Sequence, residues 1–177
     1  MSRLIRVGIS ACLLGQEVRY DGGHTRDPFL ADVLGQRVTW VPVCPEVEAG
    51  LGTPREPVDL VKKGRRIRMV GLATGMDYTA TVEQWTAKRL DELEQEDLDG
   101  YVLKSGSPSC GVDDVRLHHA DGATTKTGRG VFAHALMRRM PSLPVEHERR
   151  LQDPAVREQF IERVHAYHQG KVPRQGR

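Results

Sequence analysis

The 177-residue chain has only three cysteines, 5% aromatic residues and a net charge of +2. Each shortage excludes something. An odd number of cysteines cannot form a complete disulfide framework, and a chain of this length buries enough apolar surface to do without one. A net charge so near zero argues against a dedicated nucleic-acid binder. No apolar stretch approaches the ~18 residues of a membrane-spanning helix. The opening Met1-Ser-Arg-Leu-Ile-Arg-Val-Gly8 has neither the apolar segment nor the cleavage site of a signal peptide. A cytoplasmic location is therefore expected, with no membrane and no stable nucleic-acid partner. There is no G-x-G-x-x-G after the first strand and no P-loop, which weighs against a dinucleotide- or nucleotide-binding module. There is also no H-x-E paired with P-C-x-x-C, the signature of zinc deaminases.

What is present is an ordinary soluble balance, 38% hydrophobic and 28% charged, with strands and helices in alternation. Leu4 to Ser10 reads as a first strand, apolar with Val and Ile, and Arg37 to Val43 as a second. Between them Asp27-Pro28 starts a short helix through Leu34, with aspartate at the cap and proline at the first position. Cys44 to Pro57 holds several prolines and glycines, so it is expected to be neither helix nor central strand. Val58 to Val70 reads as a hairpin turning at Lys63-Gly64. Its basic run, Lys62, Lys63, Arg65, Arg66 and Arg68, is a solvated tip or a contact for an anion. Tyr78 to Gln95 is a long amphipathic helix striped by Val82, Trp85, Leu90 and Leu93. Tyr101 to Lys104 is a third buried strand. A polar segment then runs from Cys110 to Gly130. A helix from Gly130 to Met140, a short strand within Pro141 to Val145, and a helix capped by Asp153 complete the pattern. This order predicts an α/β fold: one Rossmann-like domain over residues 1–170 with a mainly parallel sheet flanked by helices, and a flexible tail at 171–177.

All three cysteines fall just past the end of an expected strand: Cys12, Cys44 and Cys110. In open parallel sheets, ligands bind beyond the carboxyl ends of the strands, so topology brings the thiols to one place. A lone cysteine often only packs, but three in Gly/Ser/Pro loops point to a shared task. Three thiolates are one short of a closed zinc site or a fully ligated cubane cluster, and leave a coordination position open for chemistry. A [4Fe–4S] cluster and a three-cysteine zinc centre in a hydrolase or deaminase both fit at this stage. Glu46, two residues past Cys44, is a candidate general base. Ser107 and Ser109 flank Pro108 beside Cys110, and Ser105 and Ser10 lie close by. Arg19, Tyr20, Asp21, Arg55 and Lys104 sit in or beside the same loops and are candidates for holding a polar or phosphorylated substrate. His24, His118 and His119 are left out of the metal site.

Six segments in order, Gly8-Ile-Ser-Ala-Cys12-Leu-Leu-Gly15, Arg19-Tyr-Asp-Gly22, Cys44-Pro-Glu46, Gly50-Leu-Gly-Thr-Pro-Arg55, Leu103-Lys-Ser-Gly-Ser-Pro-Ser-Cys110-Gly111 and Gly128-Arg-Gly-Val-Phe132, resemble the thiouracil desulfidase family. The resemblance implies a [4Fe–4S] cluster on Cys12, Cys44 and Cys110 with one iron free. It implies removal of sulfur from a thiolated pyrimidine without net redox change. It also places Glu46 and Ser107 at positions associated with catalysis; Ser10, Arg19, Tyr20, Asp21, Arg55, Lys104, Ser105 and Ser109 remain the candidates, by their place in these loops, for contact with the substrate.

Overall fold

The structure is a computed structural model describing residues 3–171. Its strands, in chain order, are β1 Arg6–Ser10, β2 Thr39–Val43, β3 Val58–Lys63, β4 Arg66–Gly71, β5 Gly100–Leu103, β6 Val115–His118, β7 Thr124–Gly128 and β8 Val145–His147. The helices are α1 Pro45–Glu48, α2 Thr79–Gln95, α3 Val131–Arg139 and α4 Pro154–Lys171. The first sheet is four parallel strands in the order β2-β1-β5-β8. Alternation of side chains along its strands sends apolar groups to both faces. Val7 and Ile9 of β1 meet Phe160 and Val164 of α4 on one face. Tyr101 and Leu103 of β5 meet Leu90 and Leu93 of α2 and Phe132 and Leu136 of α3 on the other. The expected mainly parallel sheet, covered on both sides, is present.

The strand order fixes where a ligand belongs. The chain leaves β1 for β2 on one side and later returns to β5 on the other. The carboxyl ends of β1 and β5 therefore flank the point where the order reverses.

Three local expectations need correction. Cys44 to Pro57 opens with a helical turn, α1, because Pro45 occupies the first helical position, where its missing N–H costs nothing. The Asp27 cap exists, its Oδ1 accepting from the Leu30 N–H at 3.0 Å, but the segment is an irregular π and 3-10 turn over Phe29–Val33 and Leu34–Gln36. The polar segment after Cys110 contains β6 and β7, an antiparallel hairpin around Asp121-Gly122. With the expected β3–β4 hairpin it makes a second, mixed sheet in the order β4-β3-β6-β7, joined by parallel pairing of β3 with β6. Leu60, Met69, Val115 and Leu117 of this sheet pack on Val82 of α2. Of the expected tail, Lys171 is the last residue of α4; residues 172–177 lie outside the described part.

Candidate active site

A cavity of about 280 Å³ lies at the carboxyl ends of β1, β2 and β5 and extends to the second sheet. Cys12, Cys44 and Cys110 all line it. Cys12 sits in a tight 3-10 turn, Ala11–Leu14, and its carbonyl accepts from the Thr25 N–H at 3.0 Å. Cys44 caps α1. Glu48 reaches back to its N–H at 2.7 Å, satisfying a donor that the first helical turn cannot satisfy internally. Cys110 ends the serine loop, with its N–H on Ser107 Oγ at 3.1 Å. That loop is clamped by the start of α3. The N–H groups of Gly130, Val131 and Ala133 bond to the carbonyls of Gly111, Pro108 and Ser109 at 2.8, 3.1 and 3.0 Å. Gly130 permits this approach, since a Cβ there would lie 2.4 Å from the Ser109 carbonyl.

No thiol is in a disulfide, and Cys12 and Cys110 are buried. Burial pushes all three thiols up, Cys110 to about 12, against weaker opposition from hydrogen bonding by Ser10 and Ser109. As free side chains they are protonated at neutral pH, so they are poor nucleophiles; a metal would have to displace their protons. Among the described residues, no three His, Cys, Asp or Glu side chains gather closely enough to hold a single metal ion. Three soft donors around a common cavity are suited to an iron–sulfur centre.

Glu46 is buried on α1. Its Oε2 accepts from Arg55 Nε at 2.8 Å and lies 2.7 Å from a terminal guanidinium nitrogen. Its Oε1 accepts from Ser109 Oγ at 2.9 Å, and Ser109 Oγ stands 3.1 Å from Ser107 Oγ. Because the Ser109 hydroxyl donates to Glu46, the Ser107 hydroxyl is the donor to Ser109. The result is a relay, Ser107 to Ser109 to Glu46, beside Cys110.

Ser105 belongs to another group. Its Oγ donates to Glu148 Oε1 at 2.7 Å, and the same oxygen holds Lys104 Nζ at 2.6 Å. The opposing effect of burial is overcome by these hydrogen bonds, and Glu148 is held below its ordinary value. Ser10 Oγ accepts from the Lys104 N–H at 2.9 Å and ties the end of β1 to that of β5. Arg19 and half-exposed Tyr20 line the cavity mouth, whereas Asp21 does not line the cavity. Its carboxylate closes a turn onto the Gly23 N–H at 2.9 Å. The basic hairpin tip is exposed and also lies outside the cavity lining. Sequence reasoning missed three residues. Glu148 follows a three-residue strand with no motif around it. Asp59 and Arg116 lie on strands of the second sheet and line the cavity from that side.

Three free thiols, a carboxylate and a serine relay thus gather at the switch point of a parallel α/β sheet, where sheets of this class bind their ligands. Residues 7–148 match the family described as 2-thiouracil desulfurase, and the chain belongs to that family. An uncharacterized protein of Bacillus subtilis (strain 168), YbbK, is 32% identical over 133 residues, covering 72% of this chain and 87% of its own. The solved structure of the [4Fe-4S]-dependent thiouracil desulfidase TudS is 33% identical, with a TM-score of 0.66, and the match covers 88% of this chain and 99% of that one.

Proposed function

We propose that the chain is a desulfidase that replaces the thiocarbonyl sulfur of a thiolated pyrimidine with oxygen, R₂C=S + H₂O giving R₂C=O + H₂S, with a [4Fe–4S] cluster held by Cys12, Cys44 and Cys110. The observation behind this reading is that the three thiols line one cavity together with Glu46. When bound, such a cluster would supply a soft iron without a protein ligand, able to draw electron density from the thiocarbonyl sulfur.

The chain's own residues do the rest. Glu46 accepts a proton from the water that attacks the ring carbon. Arg55 keeps Glu46 in place through two close nitrogens. The proton that Glu46 takes up passes from Oε1 through Ser109 and Ser107, whose hydroxyls turn as it moves, to the departing sulfur. Tyr20 at the mouth offers a face to the ring. Arg55 and Lys104, candidates for a phosphate, are each held by a carboxylate. A nucleotide would meet Arg19 instead, whose contact with Asp21 is a loose 3.4 Å.

The test is iron and acid-labile sulfide analysis on protein reconstituted without oxygen, followed by sulfide release from thiouracil and 4-thiouridine. About four irons and four sulfides per chain are expected, with turnover that Glu46→Ala abolishes while the cluster stays intact. No iron after reconstitution, or full turnover by that variant, rejects the reading.

A further inference from the structure

Thr25 has no part in the reaction proposed above, yet the fold holds its side chain against a thiol. The Thr25 N–H bonds to the Cys12 carbonyl at 3.0 Å, and the Asp27 N–H bonds to the Leu13 carbonyl at 2.9 Å. These two rungs fix the register of the segment against the turn that carries Cys12. Arg26 between them is exposed, whereas Thr25 Oγ1 is buried. That oxygen has no hydrogen-bond partner of ordinary geometry among the described residues. Its influence falls on Cys12. After burial, which pushes that thiol up, hydrogen bonding by the Thr25 side chain acts on it most strongly and pulls it back.

The looseness of this contact has a chemical reason. A neutral thiol is a weak acceptor, whereas a hydrogen bond to an ionised group is short and strong. A buried hydroxyl without a good acceptor costs stability, and that cost ends when Cys12 gives up its proton to a metal. The arrangement recurs at Cys110. Ser10 Oγ accepts from the Lys104 N–H at 2.9 Å, and hydrogen bonding by Ser10 is the strongest effect opposing burial at that thiol. We propose that Thr25 is a positioning residue for the metal centre, its hydroxyl donating a hydrogen bond to the Cys12 thiolate in the loaded protein. A sulfur that shares its charge with a donor gives less of it to iron. The donor therefore favours the more negative, reduced form and raises the reduction potential. The inference rests on the cluster of the desulfidase reading, but it does not need turnover.

The experiment is a potentiometric titration of the cluster-loaded protein, followed by electron paramagnetic resonance, in wild type, Thr25→Val and Thr25→Ser. Valine keeps the shape of threonine without the donor, and serine keeps the donor. Thr25→Val should move the one-electron reduction equilibrium about tenfold toward the oxidised form, a fall of about 59 mV. Thr25→Ser should stay within about twofold of wild type. Thr25→Ala, which cannot crowd the turn, should move the equilibrium in the same direction as Thr25→Val. The proposal is overturned by a Thr25→Val equilibrium within about twofold of wild type, by a serine variant that falls as far as the valine one, or by a wild-type cluster that no reductant converts. Each of these leaves the desulfidase reading in place. Failure of that reading looks different: wild-type protein that takes up no iron on reconstitution, which removes both.

Discussion

The Glu46–Arg55 pair offers the sharpest quantitative test of the site's construction. Both side chains are less than one-tenth exposed, and two guanidinium nitrogens lie within 2.8 Å of one carboxylate oxygen. Arg55→Met leaves Glu46 buried with Ser109 as its one remaining partner. It also removes the donor that the Val18 and Gly52 carbonyls share at 2.9 and 2.8 Å. Breaking a buried pair from one side costs about 3–5 kcal/mol, because the remaining charge has lost its counterion. For a domain of this size that corresponds to a fall of roughly 6–20 °C in Tm. Glu46→Gln added to Arg55→Met replaces the orphaned charge with an amide that still accepts from Ser109, and should recover about 1–3 kcal/mol. Urea denaturation of cluster-free wild type, both single variants and the double variant closes the cycle. Arg55→Met within about 1 kcal/mol of wild type would refute the reasoning, as would a double variant no more stable than Arg55→Met alone.

Other outcomes follow from the same geometry. Gly130→Ala puts a Cβ against backbone that cannot move cheaply, so it should cost about 2–3 kcal/mol in urea denaturation and reduce iron bound per chain on reconstitution. Ser109→Ala should lower kcat about 100-fold through loss of the relay, whereas Ser105→Ala, outside the relay, should change it far less; sulfide release measures both. Lys104→Met leaves Glu148 with Ser105 alone and should lower stability by about 2–3 kcal/mol, read from the urea midpoint. Glu56 is held at about 2, first by the Thr74 hydroxyl and then by the Tyr78 hydroxyl. A carboxylate depressed in the folded state stabilises above its unfolded value and loses that stabilisation as pH falls. Wild-type stability should therefore drop between about pH 4.5 and 2 more steeply than that of Glu56→Gln, in urea midpoints taken across that range.

The first sheet is readable from the chain because its strands are buried on both faces and so appear as unbroken apolar runs. The placement of the three cysteines follows from that, since each closely succeeds such a run. The second sheet is only half readable. β3 and β4 turn at a glycine between apolar residues. β6 and β7 have one outward face of Arg116, Thr124 and Lys126, and their short alternation vanishes in a polar stretch even though Asp121-Gly122 marks the turn. The site divides in the same way. Glu46, Ser107 and Ser109 are visible beside their cysteines, but the order of the relay is not, because Ser107 and Ser109 differ only in which one reaches α1. Asp21 is drawn in by its place among cationic and aromatic neighbours, although local turn geometry claims it. Asp59 and Glu148 give no signal, because their contacts, to His118 and Arg116 and to Lys104, cross about sixty and forty-four positions.

The clamp between the serine loop and α3 has a consequence for how the protein is made. Cys12 and Cys44 leave the ribosome early, but the loop that presents Cys110 gains three of its backbone hydrogen bonds only when Gly130, Val131 and Ala133 bond to it. A nascent chain lacks that clamp until synthesis has passed Ala133 and the α3 helix has docked. A chain stalled or truncated before that point would hold Cys110 less firmly, and if the thiols carry the proposed cluster it would compete poorly for iron.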